Sequence, residues 1–254
     1  MSLLISLRSE ILKTKRTASF YMTIGAAAFG PLMSMLELLL DGIEPGEGDA
    51  LFNDMLTVKF QMTGFVMLPF FLILLCTLLP QIEYRNNAWK QVLTSPQAKG
   101  NIFLAKFINV QLLIITFLLI NTLMMFINVV IMHFKEPSLD ILSQPVNGHQ
   151  VLMTVVSGYL SILAISAVQF WLGLRFRNFI IPIAIGIACW FIGTMLVLQS
   201  TSELAGFFPY SFHVYGKHPE YRPEANVVGL TSFIYAIVFL VLGFLDFRRR
   251  RMSA

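Results

Sequence analysis

The chain has 254 residues, of which 56% are hydrophobic and only 13% charged, and its mean hydropathy is +0.73. Because a soluble domain carries about 25% charged residues, this composition excludes a water-soluble protein and indicates one that is integral to a membrane. The apolar stretches are long and helical in character, which excludes an outer-membrane barrel of alternating ten-residue strands. The formal net charge is +4; in a membrane protein it bears on orientation, and no nucleic-acid partner is expected.

Six apolar windows are long enough to cross a hydrocarbon core of about 30 Å, which needs about 20 helical residues. The chain is therefore predicted to be an all-α polytopic membrane protein, with a single transmembrane domain over residues 1–254. The predicted spans are Thr17–Leu36 with an extension toward Leu40, Phe60–Ile82, Phe107–Phe134, a part of Ile141–Leu174 that starts near Val151, Phe179–Leu198 and Asn226–Leu245.

The basic residues lie mostly on one side of the predicted bundle. Six spans place both termini, the loop 83–106 and the turn 175–178 on the same side, which then holds 14 of the 18 Lys and Arg residues. Since basic loops tend to stay in the cytoplasm, this side and both termini are predicted to be cytoplasmic.

Residues 1–16 precede the first span. Leu4, Leu7 and Ile11 fall on one helical face, with basic residues beside or opposite it. This pattern predicts a helix that lies in the cytoplasmic interface. The alternative is a positively charged flank that only sets the orientation of the chain.

The cytoplasmic region 83–106, between spans two and three, is longer than a connector needs to be. Residues 83–93 have helix-forming character, Pro96 ends that helix, and a second helix is predicted to start near Gln97 and continue into span three. A short surface helix that carries Trp89 is suited to dock into a groove on a partner. Trp89 as an ordinary interfacial anchor is the open alternative.

On the other side, the extracytoplasmic segment 199–226 contains many aromatic residues, among them Phe207, Tyr210 and Phe212. It is predicted either to rest on the outer leaflet or to be a loop with ordinary interfacial aromatics. At the C-terminus, the basic run 248–251 is predicted to anchor the topology, and binding of anionic lipid head groups is its alternative.

The chain lacks the motifs of nucleotide, metal and acyl-transfer chemistry, so neither a catalytic residue nor a metal site is predicted. Uncharged polar residues do occur inside the spans. They either line a substrate path or hold helices together by hydrogen bonds, and they are Asn121, Asn128, Ser161 and Gln169. Gly186 and Gly193 share a helical face that permits close packing.

The layout and one short string resemble the ABC-2 permease family, the membrane subunits of type-2 ABC exporters. The string runs Glu83-Tyr84-Arg85-Asn86-Asn87-Ala88-Trp89-Lys90, then Leu93-Thr94-Ser95-Pro96, then Phe103-Leu104-Ala105-Lys106. In that family an acidic residue opens a cytoplasmic coupling helix, a Leu-x-x-Pro follows, and a lysine precedes span three. Many members have Gly-Thr where this chain has Ala88-Trp89, and the Trp-Lys variant is similar to permeases of lantibiotic self-protection.

The resemblance implies a type-2 ABC exporter fold and a transport subunit, not an enzyme, in a bacterial cytoplasmic (inner) membrane. Two copies of a separate ABC ATPase would bind ATP and magnesium, and this chain itself would hold no cofactor. A second permease, a copy or a paralogue, would complete the unit. The residues implied to contact the ATPase are Glu83, Tyr84, Arg85, Asn86, Asn87, Trp89, Lys90 and Leu93.

The implied substrate is an amphipathic peptide, an antibiotic or a lipid-like molecule. One alternative function is a membrane scaffold or assembly factor without transport activity. The other is an intramembrane lipid enzyme, which would need clustered acidic or histidine residues at one membrane face; the sequence shows no such cluster.

Overall fold

A computed structural model describes residues 3–41, 60–86, 89, 97–137, 147–199, 203–215 and 225–249. These residues form helices, and no strand occurs among them. The helices are α1 (Leu3–Thr14), α2 (Ala18–Asp41), α3 (Phe60–Arg85), α4 (Lys99–Lys135), α5 (Gly148–Arg175), α6 (Ile180–Leu198), α7 (Phe212–Tyr215) and α8 (Ala225–Arg249), with a 3₁₀ turn at Glu203–Gly206.

Six of these helices, α2 to α6 and α8, are long and apolar enough to cross a membrane. The prediction of an all-α fold with six spans is therefore confirmed. Helix α5 begins at Gly148, before the predicted start near Val151, because Asn147 caps it: its side chain accepts a hydrogen bond from the Gln150 backbone N–H at 3.1 Å.

Contacts between helix ends define two faces of the bundle. The basic face carries α1, the first turns of α2, α4 and α6, and the last turns of α3, α5 and α8. There the Tyr84 hydroxyl at the end of α3 donates to the Leu174 carbonyl at the end of α5, at 2.7 Å. At the opposite face, the Lys135 ammonium at the end of α4 donates to the Leu38 carbonyl of α2 at 3.3 Å.

The core centres on α5, which packs against α3 and α8, while α4 packs against α1 and α2. Aromatic rings fill the space between them: Phe71 stacks on Phe117 with centroids 4.6 Å apart, and Phe103 meets Phe170 at 5.2 Å. Small residues set the closest approaches. A side chain at Gly193 would meet the Tyr210 backbone, which confirms that the glycine face of α6 packs closely.

Helix α1 turns its polar side toward the protein. Ser6, Glu10 and Thr14 are buried against the bundle, whereas Leu4 is 75% and Leu12 57% exposed. The predicted helix within residues 1–16 is therefore present, and its exposed apolar side chains are left to face the surroundings. Between α1 and α2 the chain turns at Arg16, whose φ of 62° lies in the left-handed region.

The described part of the segment 199–226 folds back onto the bundle. Tyr210 is 3% exposed and Phe212 is fully buried, whereas Phe207 stays 67% exposed. The expectation that these aromatics rest on the outer leaflet is wrong for Tyr210 and Phe212, because α5, α6 and α8 cover them. The Tyr210 hydroxyl donates to Gln169 Oε1 of α5 at 2.8 Å.

Candidate functional site

Four charged side chains meet at the basic face, and we call them the charge cluster: Glu10 and Lys13 of α1, Glu83 of α3 and Lys106 of α4. The Lys106 ammonium lies 2.8 Å from Glu10 Oε2 and also pairs with Glu83 Oε1. The Lys13 ammonium lies 2.8 Å from Glu10 Oε1 and 3.3 Å from Glu83 Oε1. Two acids and two bases balance, so the cluster carries no net charge.

Three of the four side chains in the charge cluster are shielded from water. The Glu83 side chain is 3% exposed, that of Lys106 6% and that of Glu10 12%, while Lys13 reaches the surface. Buried charges persist only when paired and hydrogen-bonded. The four ion pairs therefore bind α1, the end of α3 and the start of α4 into one unit.

A polar stripe on α1 explains why its helix docks in this orientation. Ser6, Glu10 and Thr14 are spaced four apart and so share one face. The Ser6 hydroxyl donates to Gln97 Oε1 at 2.8 Å, and Thr14 Oγ1 accepts from the Asn109 side-chain amide at 2.7 Å. Each turn of α1 thus makes a polar contact with α4 or with the residues just before it.

The surroundings set the protonation of the two cluster members on α1. Burial alone would raise the pKa of Glu10, but the charge of Lys106 and hydrogen bonds from Lys106 and Lys13 outweigh it and lower the pKa below 4.5. Burial alone would lower the pKa of Lys13, but hydrogen bonding and attraction to Glu10, with a further contribution from Glu83, raise it above 10.5. Both groups are held in their charged forms at neutral pH.

Trp89 lies directly against the charge cluster. The Lys106 ammonium sits 5.4 Å from the centre of its ring, a cation–π distance. The rings of Tyr84 and Phe247 flank it, with centroids at 5.3 Å and 6.1 Å. Trp89 is 5% exposed, so its ring is packed into the end of the bundle.

The residues that the resemblance implies to contact an ATPase differ in their exposure. Glu83 and Trp89 are buried within the chain, Tyr84 is half-buried, and Arg85 and Asn86 are exposed; Asn87, Lys90 and Leu93 lie outside the described residues. Glu83 does not open a separate helix, because α3 continues through Arg85. The neighbours of Trp89 cover its ring, which places it inside the chain and not on a partner-facing or lipid-facing surface.

A cleft of about 550 Å³ opens beside the exposed pair, between the start of α2, the end of α3 and the start of α6. Arg85, Asn86 and Gln81 supply polar groups, and Leu78 and Phe179 supply apolar ones. The Gln81 side-chain amide donates to the Arg177 carbonyl at 3.0 Å. The basic face therefore combines a mixed polar and apolar recess with a guanidinium at its edge.

Two of the polar residues predicted inside the spans join α4 to α2. The Asn121 amide donates to the Ala27 carbonyl at 3.0 Å, and that of Asn128 to the Pro31 carbonyl at 2.7 Å. Pro31 lies within α2 and has no N–H for the carbonyl four residues earlier, which is that of Ala27. Asn121 thus satisfies the carbonyl that the proline leaves without its helical partner.

The other two polar residues also lie at helix interfaces. The Ser161 hydroxyl donates to the Gly158 carbonyl of its own helix at 2.9 Å, and its backbone carbonyl accepts from the Ser232 hydroxyl of α8 at 3.3 Å. The Gln169 amide donates to the Pro182 carbonyl of α6 at 2.6 Å, while its oxygen accepts from Tyr210. The side chains of Asn121, Asn128 and Gln169 thus make hydrogen bonds between helices.

Sequence reasoning treated Glu10 and Lys13 only as charges that bear on orientation, and it missed their place in the cluster. A signal was available: Glu10 is the one acid in a basic segment, and it lies in register with Ser6 and Thr14. A polar stripe on an otherwise apolar helix favours a protein-facing side. A separate ion pair outside the charge cluster, between Arg175 and Asp246 at 2.5 Å, joins α5 to α8. It was not predicted either.

The six apolar helices define a multi-pass membrane protein. The sequence pattern of the ABC-2 family of transporter proteins matches residues 6–193, most of the chain. A comparison with curated proteins gave no match. The chain therefore belongs to the ABC-2 family, which confirms the resemblance seen around residues 83–106. It is a permease component of a transporter and not itself a catalytic enzyme; the lantibiotic branch stays a prediction.

Proposed function

We propose that this chain is the permease subunit of an ABC exporter, driven by a separate ATPase that docks on the basic face around residues 83–106. The observation that carries the proposal is the charge cluster. It connects the residues at which ATPase contact is expected to two other helices through buried ion pairs, in a chain whose family is one of transporters.

The contacts support a route for force into the membrane. An ATPase that moves the segment after α3 would move Glu83, and through Lys106 and Glu10 it would move α4 and α1 as well. Helix α4 is continuous over 37 residues from Lys99 to Lys135, about 55 Å at 1.5 Å per residue. A displacement at the basic face is thus carried to the opposite face without a break in the helix.

Within this proposal, the exposed Arg85 and Asn86 contact the ATPase directly, and Glu83 and Trp89 position the segment from inside. Trp89 acts as a positioning residue because its ring rests on Lys106, Tyr84 and Phe247. Asn87, Lys90 and Leu93 remain proposed contacts. The ATPase would bind ATP and magnesium.

The proposed working unit has two permeases and two ATPases, with a copy of this chain or a paralogue as the second permease. Its basic face and both termini lie in the cytoplasm of a bacterium, since 14 of 18 basic residues are on that side. The proposed cargo is amphipathic: a peptide, an antibiotic or a lipid-like molecule. The mixed lining of the cleft beside Arg85 suits such a molecule.

Site-directed cross-linking in native membranes tests this proposal. Cys76 and Cys189 are replaced by alanine, and a single cysteine is introduced by Arg85→Cys or, as a control on the opposite face, by Leu204→Cys, where the native side chain is 66% exposed. We expect a bifunctional reagent to join position 85, and not position 204, to a nucleotide-binding protein identified by mass spectrometry. Labelling by a membrane-impermeant reagent should reach position 85 only from the cytoplasm.

The substitution Trp89→Ala should reduce the yield of this cross-link, because the segment after α3 loses its support. The matched variant Trp190→Ala, in the middle of α6 and away from the basic face, should leave the yield unchanged. An ATPase adduct from position 204, or none from position 85, would contradict the proposed docking face.

A further inference from the structure

A second recess lies on the outer surface of the bundle, between α4 and α8, and we call it the α4–α8 groove. Its volume is about 260 Å³, and its lining is apolar throughout. It is lined by Gly100, Phe103, Leu104, Ile237, Leu240, Val241 and Phe244. Leu104 is 45% and Val241 53% exposed, so the groove opens away from the protein core, toward the membrane.

The groove is shaped to take a chain rather than a flat surface. Gly100 leaves its end near the basic face open, since an added side chain there would make only ordinary contact with the Phe244 ring at 3.7 Å. From Ile237 to Phe244 the lining follows one side of α8 for about 10 Å along its axis. That length and the apolar lining match a stretch of an acyl chain.

Two basic residues stand at the end of the groove near the basic face. Lys99 precedes Gly100, and Arg248 follows Phe244 by one helical turn on the same side of α8. The Lys99 ammonium donates to the Arg248 carbonyl at 3.4 Å, which draws the two elements together. None of the ion pairs between described residues involves Lys99 or Arg248, whereas Asp246 pairs with Arg175 on α5.

We propose that the α4–α8 groove binds one anionic phospholipid, with an acyl chain in the groove and the phosphate against Lys99 and Arg248. Charge complementarity selects this occupant, because an apolar groove that ends at two basic groups, neither paired with a described acid, matches a lipid with a net negative head. A second copy of the chain related by an axis along the membrane normal would bring its own Lys99 and Arg248 to the same depth, and like charges oppose that arrangement. The proposal does not rest on the proposed function.

The first test is native mass spectrometry of the purified, delipidated full chain titrated with phosphatidylglycerol and with phosphatidylcholine of the same acyl chains. We expect tighter binding of phosphatidylglycerol. The double variant Lys99→Gln/Arg248→Gln should weaken it roughly 30-fold, since each basic group near an anionic head contributes about fivefold in affinity. The matched double variant Arg8→Gln/Lys15→Gln removes two exposed basic residues elsewhere on the basic face and should bind like the parent chain.

The second test separates the groove from its charges. Gly100→Leu fills the groove and should lower binding of both lipids, whereas Gly25→Leu on α2, where nothing lies within 4 Å, should not. A photoreactive phosphatidylglycerol should label peptides of α4 and α8 in the parent chain and not in Gly100→Leu.

Equal binding of the two lipids by the parent chain would overturn the proposal, as would unchanged binding by the Lys99→Gln/Arg248→Gln variant. Cross-links between copies from Val241→Cys, in place of lipid labelling, would assign the groove to a second copy of the chain.

Discussion

Lys106 lies between the carboxylates of Glu10 and Glu83, and all three side chains are buried. Loss of one partner from a buried ion pair leaves an uncompensated charge and costs about 3–5 kcal/mol. We therefore expect Lys106→Met to lower the free energy of unfolding by about that amount, measured in mixed micelles. The exposed Lys15→Met should change it by less than about 0.5 kcal/mol.

A compensating substitution makes this prediction specific to charge. Lys106→Met/Glu83→Gln removes one charge of each sign, so the double variant should recover part of the lost stability. If Lys106→Met behaves like Lys15→Met, or if the second substitution only adds to the loss, the cluster is not what binds the three helices.

Gly173 marks the closest contact between α5 and α3. A side-chain carbon there would lie on the backbone carbonyl of Cys76, which cannot move away as a flexible side chain would. Gly173→Ala should therefore destabilise the protein by about 1–3 kcal/mol, the usual effect of overpacking. Gly158→Ala in the same helix meets nothing within 4 Å and should be neutral or stabilising. Thermal unfolding of both variants in detergent measures the difference, and equal melting temperatures would contradict it.

Single residues also show how far the sequence alone could lead. The spacing of Asn121 and Asn128 put both on one face of span three, and that face does meet a neighbouring helix. Which helix it meets depends on Pro31, whose missing N–H exposes the Ala27 carbonyl to Asn121. That pairing joins residues far apart in the chain, so no local pattern could predict it.

At the scale of elements, α1 docks through polar groups, and its attachment should depend on pH. Folding lowers the pKa of Glu10. Its contribution to docking is therefore fully present above pH 4.5 and is lost as the pH falls through the lowered pKa. Folding raises the pKa of Lys13. Its contribution to docking is therefore fully present below pH 10.5 and is lost only as the pH rises through the raised pKa. We expect α1 to stay docked across the range between.

The distance between spin labels at Arg8→Cys and Arg85→Cys, in the background without native cysteines, reports this docking. It should stay constant from neutral pH down to about 4.5 and widen on further acidification. With Glu10→Gln added, the acid-dependent step at this site should disappear. A distance that already changes near neutral pH would show that other groups control α1.

The elements differ in how well their sequences predicted them. Apolar length predicted the six spans, since burial in lipid demands about 20 apolar residues whatever their neighbours are. The short elements were harder: α7 and the 3₁₀ turn at Glu203–Gly206 owe their position to Tyr210 and Gln169, which meet only in the folded bundle. The helical face of α1 was predicted from its apolar residues, whereas docking uses its polar ones.

For the whole molecule, charge placement and helix packing give one consistent picture. The basic face gathers the charge cluster, the Trp89 contacts and the exposed Arg85, and α4 connects it with the opposite face. The sequence predicted the region around residues 83–106 as the functional part of this face. It did not reveal that Glu83 and Trp89 lie inside the chain, because their burial depends on α1, α4 and Phe247 of α8.

The central claim is that an ATPase works on this permease through its basic face. The most direct measurement is affinity capture of the tagged full chain from native membranes, cross-linked before detergent is added, with mass spectrometry of the captured proteins. We expect a nucleotide-binding subunit in an amount equal to that of the tagged chain. Capture of the chain and other permeases without such a subunit would contradict it.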